Sequence, residues 1–95
     1  MNVTVRVPAE LYDEFQNVCN SRNVTITNVL INHIKQQVEK YKVPQSNDRN
    51  YDNLTYKKAN FRIDSDLYAE YKIELIKNRT NPTADIIRYM RQISG

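Results

Sequence analysis

Residues 3–7 of the chain read VTVRV, and the pattern returns as ANFRI at residues 59–63. Leu11 likewise returns as Leu67, so both features repeat at an offset of 56 residues. The same offset aligns apolar positions through the segments that follow, without a gap. A repeat this short rarely buries a core alone, so we expect the two copies to pack on each other.

Each copy is predicted to contain one strand followed by two helices. Polar and apolar residues alternate over residues 2–7 and again over 58–63, which is typical of half-buried strands. Apolar stripes of helical spacing follow each strand. Thr25 and the pair Asn81-Pro82 are start signals for the second helices, because they supply a capping side chain and a proline suited to the first turn. The sequence predicts a mainly α protein with a two-stranded antiparallel β-ribbon.

Three segments follow from this pattern. Residues 1–41 form the first repeat, residues 42–57 a polar linker, and residues 58–95 the second repeat. The linker can span roughly 50 Å when extended. That reach permits the strands to pair within one chain or between two chains.

The charge, the composition and the motifs of the chain limit the functions that it can have. The net charge is +3 and the pI about 9.1, which allows an anionic partner such as nucleic acid. The N-terminus does not resemble a secretory signal peptide, and no apolar run is long enough to span a membrane. We therefore expect a cytoplasmic protein without a membrane partner. The sequence lacks a Gly-rich phosphate loop, metal-ligand spacing and a nucleophile–base pair. We therefore expect no enzymatic activity, cofactor, metal or small-molecule substrate, a packing or surface role for His33 and a buried apolar role for Cys19.

The doubled strand–helix–helix pattern resembles the ribbon-helix-helix family of DNA-binding proteins, the Arc/MetJ superfamily. The matching segments are VTVRVP at 3–8, Leu11, NVTITNVL at 23–30, FRID at 61–64, Leu67 and TNPTADII at 80–87. The fusion of two copies is similar to duplicated members of the TraY type. The resemblance implies two fused ribbon-helix-helix repeats that form an intramolecular pseudo-dimer.

The resemblance also implies how DNA is bound. Two antiparallel strands of this family enter the major groove, which accommodates a β-ribbon. The expected base-reading residues are Asn2, Thr4, Arg6, Lys58, Asn60 and Arg62. Arginine suits guanine and asparagine suits adenine. The expected phosphate-binding residues, at the starts of the second helices, are Thr25, Thr27, Asn81 and Thr83.

The turn between the helices of each repeat departs from the family pattern. Many members have glycine there, whereas this chain has Asn23 and Arg79. Asparagine tolerates the left-handed conformation that closes many helices. We expect Arg79 to avoid a positive φ, so that the two turns differ.

The leading interpretation is a sequence-specific binder of double-stranded DNA, a small transcriptional repressor of phage or plasmid type. The outward-facing strand residues differ between the two copies, which predicts that the DNA subsite is not palindromic. The protein is a candidate for self-association along adjacent DNA sites. One alternative is a relaxosome or DNA-transfer accessory protein. Another is a protein-interaction module, either antitoxin-like or a phage-encoded inhibitor of a host protein.

Overall fold

The computed structural model describes residues 1–45 and 55–94. Within these ranges the protein is mainly helical and has one two-stranded sheet, which confirms the predicted class. The elements in chain order are β1 (Asn2–Pro8), α1 (Ala9–Ser21), α2 (Ile26–Glu39), β2 (Tyr56–Arg62), α3 (Ser65–Lys77) and α4 (Pro82–Ser94). No helix in the described ranges is long and apolar enough to cross a membrane.

The two strands of the chain pair with each other in antiparallel orientation. Asn2 lies opposite Arg62 at one end, and Pro8 lies opposite Tyr56 at the other. The amino group of Met1 donates to the carbonyl oxygen of Ile63 at 2.7 Å, which extends the pairing beyond β2. A two-stranded ribbon is marginal alone, so its apolar face has to be covered by helices.

The helices cover that face in a crossed arrangement. Helix α1 packs mainly on α4, and α2 packs mainly on α3, so each pair joins an early helix to a late one. Fully buried side chains of the core include Leu11, Phe15, Leu30, Ile86 and Met90. Strand residues such as Val5 and Phe61 close the core from the ribbon side. Neither half of the chain therefore has a core of its own.

Predicted boundaries shift by one or two residues in the structure: β1 continues to Pro8, and β2 ends at Arg62. Strand β2 begins at Tyr56, two residues before the predicted start of the second repeat at residue 58, because β1 extends to Pro8 and supplies pairing partners there. Helix α2 ends at Glu39, two residues before the predicted end of the first repeat at residue 41. Residues 46–54 of the predicted linker lie outside the described residues.

The expectation for Arg79 was wrong. Its φ is 57°, close to the 60° of Asn23, so both turns adopt the left-handed conformation. The backbone N–H of Val24 donates to the carbonyl of Cys19, and that of Thr80 donates to Leu75, as in a Schellman motif. This closure requires a left-handed residue whatever its side chain, and the hydrogen bonds and helix packing outweigh the ~1–2 kcal/mol cost of a Cβ there.

Candidate nucleic-acid interface

The outward side of the ribbon is polar from Asn2 to Arg6 and from Lys58 to Arg62, and the exposed Tyr56 follows at one end of β2. Six side chains are exposed there, which we call the ribbon face: Asn2, Thr4, Arg6, Lys58, Asn60 and Arg62. Between them, Val3, Val5, Val7, Ala59 and Phe61 point inward and are buried. The alternation follows from the period-two geometry of strands, in which successive side chains point to opposite faces. All six expected base-reading residues are therefore on one surface.

The ribbon face is organised as three cross-strand pairs. Asn2 lies opposite Arg62, Thr4 opposite Asn60, and Arg6 opposite Lys58. In the central pair, the Thr4 hydroxyl donates to Oδ1 of Asn60 at 2.6 Å. The face therefore has a polar pair at its centre and cationic side chains towards both ends.

The positive charge of the ribbon face is not balanced by acidic residues within it. Arg6, Lys58 and Arg62 are its three cations, and its other three members are neutral. The next cation along β2, Lys57, is directed elsewhere: its Nζ lies 2.5 Å from Oδ1 of Asp13 on α1. The ribbon face can thus attract an anion and offer several N–H donors.

The starts of α2 and α4 are capped by the residues expected there. Oγ1 of Thr25 accepts a hydrogen bond from the backbone N–H of Asn28 at 3.1 Å. Oδ1 of Asn81 accepts one from the N–H of Ala84 at 2.9 Å. A threonine hydroxyl that accepts can still donate its own proton, so capping and contact with a phosphate are compatible at Thr25.

The other two expected phosphate-binding residues occupy different surroundings. Thr27, in the first turn of α2, lines a shallow groove together with Asn2, Thr4, Asn60 and Arg62. This groove brings a helix start beside the ribbon face. Thr83 is exposed in the first turn of α4.

A buried polar cluster joins helices α2, α3 and α4. Asp85 in the first turn of α4 is fully buried, and its Oδ2 accepts from the Tyr71 hydroxyl at 2.6 Å. Nε2 of His33 lies 2.7 Å from the same oxygen, and Nε2 of Gln37 donates to Oδ1 at 3.0 Å. Burial, with the hydrogen bond to Asp85, raises the pKa of Tyr71 above its ordinary value. The cluster fixes the first turn of α4, the turn that carries Thr83.

Sequence reasoning missed this cluster, although one signal was available. Asp85 aligns with Val29 of the first repeat, so it stands at an apolar stripe position where a carboxyl group needs buried partners. His33 has the packing role that was expected. Its ring stacks on that of Tyr89 with 3.9 Å between centroids.

Two observations concern other chemistry. Cys19 is buried, as expected, and desolvation raises the pKa of its thiol, which disfavours the reactive thiolate. Among residues 1–45 and 55–94, no group of three or more His, Cys, Asp or Glu side chains is arranged to hold a metal ion.

Comparison with protein-family models, curated proteins and solved structures gives no match to this chain. The ribbon face and the helices that pack against the ribbon are therefore the features that indicate a function.

Proposed function

We propose that this protein binds double-stranded DNA sequence-specifically by inserting its ribbon into the major groove. The observation that carries the proposal is the ribbon face, with six exposed polar side chains above a buried apolar row. The major groove is about 12 Å wide and admits a two-stranded ribbon. Arginine, lysine, asparagine and threonine are side chains that contact base edges there.

We further propose that the fold is a pseudo-dimer of two fused ribbon-helix-helix repeats. Residues 56 positions apart are equivalent in the two repeats, and equivalent residues that lie on a two-fold axis contact each other. Two such pairs are in contact here, which supports the proposal. Thr4 pairs with Asn60 at the centre of the ribbon, and His33 stacks on Tyr89 in the helices. The crossed packing of α1 on α4 and α2 on α3 is the packing that such a dimer would have.

Phosphate contacts complete the proposal. Thr25 and Thr27 at the start of α2, with Asn81 and Thr83 at the start of α4, would place helix N–H groups and side-chain donors on the DNA backbone. Contacts of this kind set the position of the protein on DNA, and the ribbon face selects the sequence. The biological role we propose is a small cytoplasmic transcriptional repressor of phage or plasmid type.

A selection experiment tests the proposal. Purified protein is used to enrich duplexes from a random-sequence pool, and affinity for the enriched duplex is measured over a range of salt concentrations. We expect the logarithm of the binding constant to fall linearly with the logarithm of the salt concentration, since phosphate contacts release counterions. Arg6→Ala and Arg62→Ala should each cost about 1–3 kcal/mol on the enriched duplex.

Lys77→Ala is the matched control, because it removes the same charge from an exposed position on α3, away from the ribbon face. It should bind the enriched duplex nearly as the original protein does. If both arginine variants also bind like the original, the ribbon does not read DNA.

A protein-interaction role is the second candidate, and one observation favours it. Ile73 and Ile76 lie three residues apart on α3 with 54% and 73% of their surfaces exposed. The residues aligned with them in the first repeat are Asn17 and Asn20, so this apolar pair exists on one side only. It could serve a protein partner or a second copy of this chain on adjacent DNA.

A further inference from the structure

We infer that Tyr56 is a further specificity-determining residue of the ribbon, and that its ring contacts the C5-methyl group of a thymine in the major groove. The inference rests on the proposed binding of the ribbon to DNA, and it adds a base contact that the sequence did not predict. Tyr56 falls in the segment that was expected to be a linker, but the structure places it in β2, opposite Pro8.

The side chain of Tyr56 lies on the outward side of the ribbon, in line with Lys58. Successive side chains of a strand point to opposite faces, so Tyr56 and Lys57 point in opposite directions. Lys57 points towards the helices, since its Nζ lies 2.5 Å from Oδ1 of Asp13 and 5.7 Å from the ring centroid of Tyr12, both on α1. Tyr56 therefore points away from the helices, to the side on which the ribbon face lies.

The ring of Tyr56 is exposed although its backbone is held in place. Of the Tyr56 surface, 51% is exposed, whereas the paired residue Pro8 is buried. The strand pairing continues beyond Tyr56, because the backbone N–H of Ala9 donates to the carbonyl oxygen of Thr55 at 3.0 Å. A tyrosine side chain has only two χ angles, so ordering it on binding costs little conformational entropy. This end of the ribbon thus presents a large ring from a fixed position.

The chemistry of the ring selects the group that it contacts. Base pairs present hydrogen-bond donors and acceptors in the major groove, and the C5-methyl of thymine is the apolar group among them. The neighbouring outward residues are Lys58 and, opposite it, Arg6, which offer hydrogen-bond donors. The ring of Tyr56 adds an apolar surface to these donors. Contact between the ring and the methyl group removes apolar surface from water, which favours thymine over cytosine at this position.

The opposite end of the ribbon is built differently. After Arg62 the chain continues with Ile63, which is buried, and Asp64, which accepts from the backbone N–H of Leu67 at the start of α3. The ring therefore marks the end of the ribbon that carries Arg6. Two residues of a strand cover about 7 Å, which is the rise of about two base pairs. We expect the thymine on the flank of the subsite beyond the base contacted by Arg6.

The experiment uses the full chain and the duplex that it selects, with a single binding site. The base contacted by Tyr56 is identified as the position whose thymine preference disappears when the selection is repeated with Tyr56→Ala. Affinities are then measured for duplexes with thymine or uracil at that position, a change that removes only the C5-methyl group. The variants are Tyr56→Ala, which removes the ring, Tyr56→Phe, which removes only the hydroxyl, and Val43→Ala, which shortens an exposed apolar side chain outside the ribbon.

We expect uracil to weaken binding about fourfold in the original protein, as the loss of one buried methyl group implies. Tyr56→Phe and Val43→Ala should show the same difference between thymine and uracil. Tyr56→Ala should bind the thymine duplex more weakly than the original protein by about fourfold or more, and it should not distinguish uracil from thymine. A purely structural role of Tyr56 would weaken binding to both duplexes alike and leave their difference in place. Circular dichroism confirms that each variant is folded.

The outcomes separate this inference from the proposed function. A protein that selects DNA without a thymine preference dependent on Tyr56 overturns the inference, as does a thymine–uracil difference that persists in folded Tyr56→Ala. A contact of the hydroxyl with a phosphate would weaken Tyr56→Phe on both duplexes alike, without a thymine–uracil difference, and this result also overturns it. In each of these cases DNA binding by the ribbon still stands. A protein that enriches no duplex sequence overturns the proposed function, and the inference with it.

Discussion

The buried polar cluster gives a stability prediction that can be worked from its geometry. Asp85→Ala removes the acceptor of the Tyr71 hydroxyl and the partner of His33, and both side chains stay buried. An unsatisfied buried donor costs about 1–3 kcal/mol. Gln37 loses less, since its Nε2 also donates to the carbonyl of Lys42 at 2.8 Å. We expect a loss of about 3–5 kcal/mol, as when one partner of a buried pair is removed.

Urea unfolding followed by far-ultraviolet circular dichroism measures this loss. A domain of this size is stabilised by roughly 5–14 kcal/mol, so the midpoint should fall strongly and Tm should drop by roughly 15–30 °C. Asp13→Ala is the matched control, because its exposed ion pair with Lys57 is worth about 1 kcal/mol or less. A loss in Asp85→Ala no larger than in the control refutes the reasoning.

A double variant tests whether the loss comes from unsatisfied donors. Asp85→Val with Tyr71→Phe installs the residues that stand at the aligned positions, Val29 and Phe15. Replacing buried polar partners together with apolar residues is often neutral or stabilising. The double variant should therefore be more stable than Asp85→Val alone, with a coupling energy of about 0.5–3 kcal/mol. Strictly additive losses would contradict this explanation.

Three further predictions concern other parts of the molecule. Arg79→Gly should raise the free energy of unfolding by about 1 kcal/mol because it relieves a positive φ, whereas Ser21→Gly on α1 should not. Since the folded state raises the pKa of Tyr71, the stability linked to its proton is present below about pH 10 and is lost above it. Above about pH 10, the free energy of unfolding of Tyr71→Phe should fall less steeply with pH than that of the original protein, by up to about 1.4 kcal/mol per pH unit. Urea titrations at several pH values measure this slope, and an equal slope in the two proteins would contradict the prediction. If adjacent copies meet through α3, Ile76→Ser should weaken binding of a second molecule to tandem sites by about 1.5 kcal/mol while single-site affinity is kept, as measured by gel shift.

Much of the fold could be predicted because its signals are local. Alternation located both strands, and capping residues located helix starts: Thr25 and Asn81 cap as expected, and Asp64 accepts from the backbone N–H of Leu67 at 3.0 Å. The conformation of Arg79 was not predicted, because it is imposed by the closing hydrogen bonds of α3 and not by its own preference. The Asp85 cluster was missed because its partners come from three helices that are distant in sequence.

The candidate interface also has features that the sequence predicts and features that it does not. The period of two placed all six members of the ribbon face on one side from sequence alone. The pairing of Thr4 with Asn60 required the strand register, and a shift of one residue would have paired Thr4 with a buried neighbour of Asn60. Sequence can identify which side chains face outward, but the hydrogen bonds between them depend on the pairing of distant strands.

The most direct test of the central claim is a nuclear magnetic resonance titration of isotope-labelled protein with the duplex that it selects. If the ribbon enters the major groove, the largest changes in backbone amide shifts should fall on residues 2–6 and 58–62, with smaller changes at the starts of α2 and α4. Changes confined to the outer faces of α1 and α3, with the ribbon unaffected, would contradict the claim that the ribbon reads DNA.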